Sequence, residues 1–512
     1  MKILIKEIKH TITNLKPLDI ASIIFAFIVI IPISNFLIEG VRFILSGNFS
    51  LGIAGREEIL GTLKLLALTS IFGGGLGTLN GWLLSNCNFR FRKILRICQL
   101  IPLAIPAYLI TAVSQDLGSI YGYQITGLWW GVLILSISTY PYVFILANES
   151  FNKFGINQIN ASRGLGIGPW GSFFKIALPM AMPALITGIS LMCMEVMNEL
   201  GTVLSLNIPC ISTGIYENWN IEGNLKSATG LSLIALIIVF ALIIFEKFSR
   251  RKTKLWSENP ATIGSQGWEL KNHRAFFAVI VTLFPPIFSI GIPCFWFFLN
   301  FDLVHKGLTR ELLTLTLRTI GLGVVASLIT IIFALILSLA SRLNKNLFFK
   351  FIIFPAGIGY AIPGSVLAIS LITISTSRFN FIAICLLVWG YLVRFLTISK
   401  GSIDSGLERI SPVLDEAANG LGSNWLNIIE RIHLPLLKGP IFVGSLLVFV
   451  DTIKELPITF IYRPFDFDTL SVRIYQYAGD ERIAEAIVPV MIIIILGLIA
   501  SSTLIPRLEK EN

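Results

Sequence analysis

Four acids lie at matching positions in two strongly apolar segments of the chain. Glu195 and Glu199 in the first half correspond to Asp451 and Glu455 in the second, with one offset for both pairs (451 − 195 = 256). Carboxylate oxygens are hard ligands that suit a hard metal cation, and a carboxylate in an apolar segment usually faces a cavity or a partner. Lys454 lies between Asp451 and Glu455. A structural ion pair, or a side chain that reaches the membrane interface, would therefore also explain these acids without a role in binding.

The composition places most of the chain in lipid. Of its 512 residues, 54% are hydrophobic and 14% are charged, whereas soluble domains have about 45–50% and about 25%. About twelve apolar segments are long enough for a helix to cross a bilayer core of roughly 30 Å. We therefore predict an all-α polytopic membrane protein and exclude an outer-membrane barrel. The segments lie near 19–39, 60–85, 94–114, 128–148, 180–200, 228–247, 275–299, 314–341, 350–374, 380–399, 438–456 and 483–505.

The distribution of Lys and Arg predicts the orientation. If both termini are cytoplasmic, the inside segments carry most of these residues, as the positive-inside rule requires. Segments 149–179 and 400–437 then lie in the cytoplasm. The net charge of +10 reflects this topology, and no arginine-rich stretch with interleaved aromatics indicates nucleic-acid binding.

The chain is predicted to be a tandem duplication. The first membrane domain is placed at 1–255, a cytoplasmic linker at 256–272 and the second membrane domain at 273–512. Each domain has six spans, and because six is even, the two repeats are parallel, related by an axis along the membrane normal. Ile105-Pro106 matches Ile362-Pro363, and we expect these prolines to bend their spans. Thr62 is matched with Thr316.

A loop motif of unchanged spacing occurs once in each half. We predict a short helix, a glycine that permits a tight reversal, a second short helix, and a proline at the first turn of the next span. An ordinary amphipathic loop would explain the helical pattern but not the same spacing twice. The second copy contains Glu416, Ala417, Ala418, Gly422, Ile432, Leu434 and Pro435; the first contains Asn160, Ala161, Ser162, Gly166, Ile176, Leu178 and Pro179.

This spacing resembles the cytoplasmic "EAA" loop by which the membrane subunits of bacterial ABC importers engage their ATPases. We call residues 160–179 and 416–435 the first and second EAA loops. Two further runs resemble the fused ferric-iron permeases, whereas the fused thiamine permeases share the two-copy layout and are the alternative. These runs are Lys454-Glu455-Leu456-Pro457-Ile458-Thr459 with Arg463-Pro464-Phe465, and Glu199-Leu200-Gly201-Thr202-Val203 with Thr213-Gly214-Ile215-Tyr216.

The resemblance implies a type I ABC importer transmembrane (MetI-like) fold in the bacterial inner membrane. It implies as partners two copies of an ABC ATPase and a periplasmic or lipid-anchored ferric-binding protein, besides membrane lipid. No G-x-x-x-x-G-K-[ST] phosphate loop occurs in the chain, so we expect no enzyme site and no bound cofactor, with ATP used by the partners. A secondary transporter and a membrane scaffold are the two other classes of function that we consider.

The resemblance also gives a candidate role to the charges within the spans or at their outer ends. Glu195, Glu199, Asp451 and Glu455 are candidates for the translocation path, with metal ligands unknown. Arg394 lies within the tenth span and has no basic counterpart in the first half. We expect it to pair with an acid, to line the path or to reflect a packing asymmetry between the halves.

Overall fold

The computed structural model is almost entirely helical. It describes residues 17–47, 50–164, 166–251, 268–344, 346–375 and 380–510. Within these residues, ten helices are long and apolar enough to cross a membrane, and two bent helix pairs raise the number to twelve if each pair is one span. The ten are Pro17–Leu45, Gly55–Asn86, Leu128–Asn152, Trp170–Asn198, Leu225–Phe248, Asn272–Leu299, Arg310–Leu343, Phe381–Glu408, Trp425–Lys454 and Ile483–Ala500. The all-α membrane class predicted from composition is confirmed.

Shorter elements connect the spans. The helical ones include Gly201–Ser205, Ile211–Tyr216, Glu217–Ile221, Phe301–Leu303, Val304–Gly307, Pro412–Gly420, Pro457–Tyr462 and Leu470–Gly479. Strands Cys87–Asn88 and Trp268–Glu269 pair in parallel. Most of the predicted linker, residues 256–267, lies outside the described residues.

The third predicted span of each half is broken at its proline. Helices Arg92–Ala104 and Ala107–Ile120 meet at 85°, and helices Phe349–Ala361 and Gly364–Ile374 meet at 116°. Pro106 and Pro363 are extended (ψ 140° and 141°) and stand just before the second helix of each pair. A proline disfavours helical geometry in the residue before it and donates no hydrogen bond itself. The predicted bends are confirmed, and they are far sharper than a kink within one helix.

The described chain divides into two compact units that do not coincide with its sequence halves. One unit joins Met1–Gly47 to Leu313–Ser471, and the other joins Asn48–Leu312 to Val472–Asn512. In the first unit, Ser370 Oγ donates to Pro32 O (2.6 Å) of the chain's first span. In the second unit, Trp296 Nε1 donates to Asp116 Oδ2 (2.6 Å). The first span of each half therefore packs in the unit built mainly from the other half. The division of the chain into repeats at 1–255 and 273–512 stays a prediction.

The duplication is visible in local geometry. Helix Leu178–Asn198 has its counterpart in Leu434–Lys454, at the offset found in the sequence (434 − 178 = 256). A Cβ added at Gly188 would meet Val143 Cα at 2.8 Å, and one added at Gly444 would meet Ser399 Cα at 3.3 Å. These paired positions also differ by 256, so both halves use the same helix contact.

One sequence match is corrected by the hydrogen bonds. Thr62 Oγ1 accepts from the backbone N–H of Ile211 at 2.8 Å. In the second half, Thr319 Oγ1 accepts from the backbone N–H of Leu470 at 2.9 Å. The structural counterpart of Thr62 is therefore Thr319, and the match with Thr316 is wrong by about one helical turn.

Small residues bring helix Gly55–Asn86 close to helix Leu128–Gly164. A Cβ on Gly77 would lie 2.8 Å from Val143 Cβ and 2.9 Å from Tyr140 O. Because a backbone oxygen cannot rotate away, we expect Gly77→Ala to lower the free energy of unfolding by about 1–3 kcal/mol. Gly75→Ala on the same helix is the control, since nothing lies within 4 Å of its Cβ position. Thermal unfolding in detergent compares the two, and equal midpoints would contradict this packing.

Candidate functional site

The second EAA loop contains the predicted short helix and the predicted tight turn. Helix Pro412–Gly420 carries Glu416, Ala417 and Ala418, and none of its side chains is buried. At its end, Ser423 N donates to Ala418 O (3.0 Å) and Gly422 has φ +79°. Such a reversal favours glycine, because a left-handed backbone costs other L-residues energy.

The first EAA loop has the same turn but not the separate helix. Gly166 has φ +73°, whereas Asn160, Ala161 and Ser162 lie near the end of one 37-residue helix, Leu128–Gly164, with side chains outside the described part. The expected short helix is therefore wrong for this copy. In the second half, Pro412 disfavours helix at Ser411 and ends the preceding helix; the first half has Ile156 at that position.

The residues after each turn form the beginning of the next span. Phe173–Ala177 and Ile429–His433 are π-helical turns at matching positions. They carry Ile176 and Ile432, and helices beginning at Leu178 and Leu434 follow directly. Since Pro179 and Pro435 offer no N–H, the wider turn gives the backbone room where an α-helical bond is missing. The second helix of the motif is thus continuous with the span, which corrects the expectation of a separate one.

Both EAA loops expose apolar side chains at the surface of the protein. In the second half, Val413 in the first turn of helix Pro412–Gly420 is 65% exposed, and Leu421 directly after this helix is 87% exposed. In the first, Trp170 and Phe174 are 61% and 60% exposed. Clustered exposed apolar side chains mark interaction surfaces. The first loop offers aromatic groups and the second aliphatic ones, so their surfaces differ in shape.

Glu455 is the centre of a buried polar network in the second half. The residue is 5% exposed, and its carboxylate accepts from the N–H of Ile458 (2.9 Å), the N–H of Thr459 (3.1 Å) and Thr459 Oγ1 (2.8 Å). Arg394 Nη1 lies 3.6 Å from Glu455 Oε1. Tyr391 Oη is hydrogen-bonded to Thr459 Oγ1 at 2.5 Å. Of the outcomes expected for Arg394, pairing with an acid is observed.

Glu199 has the same local role in the first half. Its Oε1 accepts from Thr202 N (3.2 Å) and Thr202 Oγ1 (2.9 Å) at the start of helix Gly201–Ser205. Glu455 does this for helix Pro457–Tyr462. Carboxylates satisfy the unpaired N–H groups of a helix start and its positive dipole end. Both glutamates therefore hold the chain as it leaves a span.

The other two candidate acids are partly buried. Asp451 pairs with Lys454 at 2.9 Å, so the structural ion pair left open from the sequence is present. Glu195 lies in the last turn of helix Leu178–Asn198, and Glu199 directly follows this helix. Among the described residues, no group of three His, Cys, Asp or Glu side chains could hold a metal ion. A role of these acids in a path stays a prediction.

Three residues that the sequence did not single out connect the second EAA loop to the spans. Asp415 Oδ2 accepts from Arg342 Nε at 2.8 Å, and its Oδ1 is bonded to His433 Nε2 at 2.8 Å. We call Arg342, Asp415 and His433 the loop triad. Asp415 directly precedes the motif and His433 lies inside it. Their pairing, and that of Asp415 with Arg342, joins residues 18 and 73 positions apart, so no local sequence pattern predicts it.

Comparison with known proteins agrees with this geometry. Residues 73–254 match the family described as "Binding-protein-dependent transport system inner membrane component". The chain is 23% identical over 441 residues to the Fe(3+)-transport system permease protein FbpB 2 of Haemophilus influenzae, covering 84% of this chain and 86% of that protein. It is 25% identical over 213 residues to the molybdenum transport system permease protein ModB of Escherichia coli, covering 38% and 93%. The sulfate transport system permease protein CysT of E. coli is 27% identical over 154 residues, covering 28% and 56%.

The spans, the paired loops and the family match define a class. The protein is a multi-pass membrane permease of the ABC importer type, with the type I importer transmembrane fold. Its residues 73–254 carry the domain of the binding-protein-dependent transport system inner membrane components.

Proposed function

We propose that this permease carries ferric iron. The observation that supports this most is the extent of the likeness: the match to the Fe(3+)-transport permease covers 84% of the chain, in both halves. The matches to the molybdenum and sulfate permeases cover 38% and 28%. A small-anion substrate is the second candidate, and thiamine remains the alternative from the sequence.

Transport is coupled to ATP hydrolysis by other subunits through the two EAA loops. The exposed apolar side chains of the loops support this, since Val413, Leu421, Trp170 and Phe174 form surfaces suited to a protein partner. We expect two copies of an ABC ATPase, which use the ATP, and no cofactor or ATPase site on this chain. The partners further include membrane lipid but no nucleic acid.

The remaining arrangement follows from the predicted topology. Both termini and both EAA loops lie in the cytoplasm, and the chain lies in the bacterial inner membrane. A periplasmic or lipid-anchored ferric-binding protein delivers iron to the opposite face. Glu195, Glu199, Asp451, Glu455 and Arg394 remain the candidates for residues of the path or its walls.

Labelled uptake in cells with and without this chain tests the substrate, with the matching ATPase and binding protein present. Ferric iron, thiamine, sulfate and molybdate are offered in parallel. We expect iron uptake that disappears without the chain. Uptake of another solute instead would keep the importer class and reject iron, and no uptake of any of them would reject the proposed substrate set.

A further inference from the structure

The loop triad spans a break in the second half that the first half does not have. In the first half, helix Leu128–Gly164 runs without interruption from a span into the EAA loop. In the second half, the helix from Asn380 ends at Glu408, and the loop helix begins again at Pro412. A continuous helix transmits a displacement along its axis, whereas a broken one needs another connection.

Arg342 supplies one part of that connection. It lies in the last turn of helix Arg310–Leu343, and its side chain is 14% exposed. Its Nη1 donates to Leu407 O (2.5 Å) and its Nη2 to Ile410 O (2.9 Å), while its Nε donates to Asp415. The guanidinium thus binds two carbonyls at and just beyond the end of one helix and the acid in the next, on both sides of the break.

His433 supplies the other part. It is fully buried, with 0% exposure, at the end of the π-helical turn Ile429–His433. Its Nε2 is hydrogen-bonded to Asp415 Oδ1 at 2.8 Å. Asp415 therefore ties the loop helix to the beginning of span Trp425–Lys454 as well as to the end of Arg310–Leu343.

The first EAA loop has neither the aspartate nor the histidine of this triad. Ile159 and Ala177 stand at the positions of Asp415 and His433, at the common offset of 256 (415 − 159 = 256). Ala177, at the position of His433, packs instead in an apolar cluster that includes Trp82, Phe151 and Phe173. The Trp82 and Phe173 rings are 5.2 Å apart, and those of Trp82 and Phe151 are 5.5 Å apart.

We propose that Asp415 is a positioning residue that makes the second EAA loop move together with the spans around it. Through Arg342 and His433 it restores, across the break at Pro412, the connection that the first half obtains from an unbroken helix. This inference rests on the proposed coupling of the EAA loops to an ATPase. It adds that the two loops are coupled by different means, one by helix continuity and apolar packing, the other by the hydrogen-bonded loop triad.

The test uses the complete importer in liposomes, with ATPase and loaded binding protein, and measures solute accumulated per ATP hydrolysed. The solute is ferric iron or, if the wild-type chain moves that instead, thiamine, sulfate or molybdate. We expect Asp415→Asn to bind the ATPase as the wild type does but to lower this ratio by about tenfold, a common size for coupling between two sites. Asp415→Glu keeps the charge and should recover part of the ratio. Asp404→Asn is the matched control, because Asp404 pairs only with Lys400 on its own helix among the ion pairs of the described residues.

The two proposals fail in different ways. A wild-type chain that binds no ATPase would reject the proposed coupling itself, and this inference with it. An Asp415→Asn importer that assembles and keeps the wild-type ratio would reject the positioning role alone. If Asp415→Asn does not assemble, Arg342→Lys replaces it: it keeps the charge but loses the forked guanidinium, and a wild-type ratio there would equally overturn the inference.

Discussion

Gly422→Val should reduce ATP-driven transport at least about tenfold while leaving the permease in the membrane, because a left-handed backbone costs an L-residue about 1–2 kcal/mol, and a β-branched one more. Gly422 has φ +79° at the turn of the second EAA loop. Nothing lies within 4 Å of its Cβ position, so the cost comes from the backbone and not from a clash. The strained turn would reopen and displace the exposed helix Pro412–Gly420 from its partner. Transport and membrane level are measured together.

Two variants separate backbone strain from a simple change of surface. Gly422→Asn should keep most of the transport, because asparagine accepts the left-handed conformation better than other non-glycine residues. Gly420→Val adds the same side chain two residues earlier, where space is also open and the backbone is helical. Normal transport by Gly422→Val, or equal losses in Gly420→Val, would contradict a requirement for this turn. Gly166, with φ +73°, should respond as Gly422 does.

Arg394→Met should lower the free energy of unfolding by about 3–5 kcal/mol, the usual cost of removing one partner of a buried ion pair. The side chains of Arg394 and Glu455 are 4% and 2% exposed. Without the guanidinium, the carboxylate keeps its backbone donors at Ile458 and Thr459 but loses its counter-charge. The midpoint of thermal unfolding in detergent and the level in the membrane both report this loss.

A double variant and a less buried ion pair supply the comparison. Arg394→Met combined with Glu455→Gln should be more stable than Arg394→Met alone, because the neutral amide oxygen still caps helix Pro457–Tyr462. Lys454→Met removes the partner of Asp451 in a pair whose side chains are 18% and 17% exposed. Because this pair is less buried, we expect a smaller loss of stability than in Arg394→Met. If Arg394→Met is as stable as the wild type, the pair does not hold this part of the fold.

Much of the architecture is contained in local sequence patterns. The length of the apolar segments predicts the spans. A segment that crosses lipid has no water to bind its backbone N–H and C=O groups, so it forms a helix that pairs them internally. Pro106 and Pro363 predict the two broken spans, because a proline acts on its immediate neighbours. Gly166 and Gly422 predict the reversals for the same local reason, and both have positive φ. Repetition at a fixed offset then predicts that the halves share contacts.

Other features depend on residues far apart along the chain. Span Pro17–Leu45 packs in one unit with Leu313–Ser471. The apolar pattern of this span does not predict that partner, because any apolar helix face could pack against it. The local sequence match of Thr62 with Thr316 is wrong, because the hydrogen bond that corresponds to that of Thr62 with Ile211 is formed by Thr319 with Leu470. Asp415 and Arg342 are 73 residues apart, so their pairing could not be predicted from spacing.

The most direct measurement of the central claim is solute accumulation by the purified permease in sealed liposomes, with its ATPase and binding protein added separately. An importer coupled through its EAA loops accumulates solute only when ATP, ATPase and loaded binding protein are all present. Replacing both Gly166 and Gly422 by valine should abolish that accumulation. Accumulation driven by an imposed ion gradient without the ATPase would contradict the account and identify a secondary transporter.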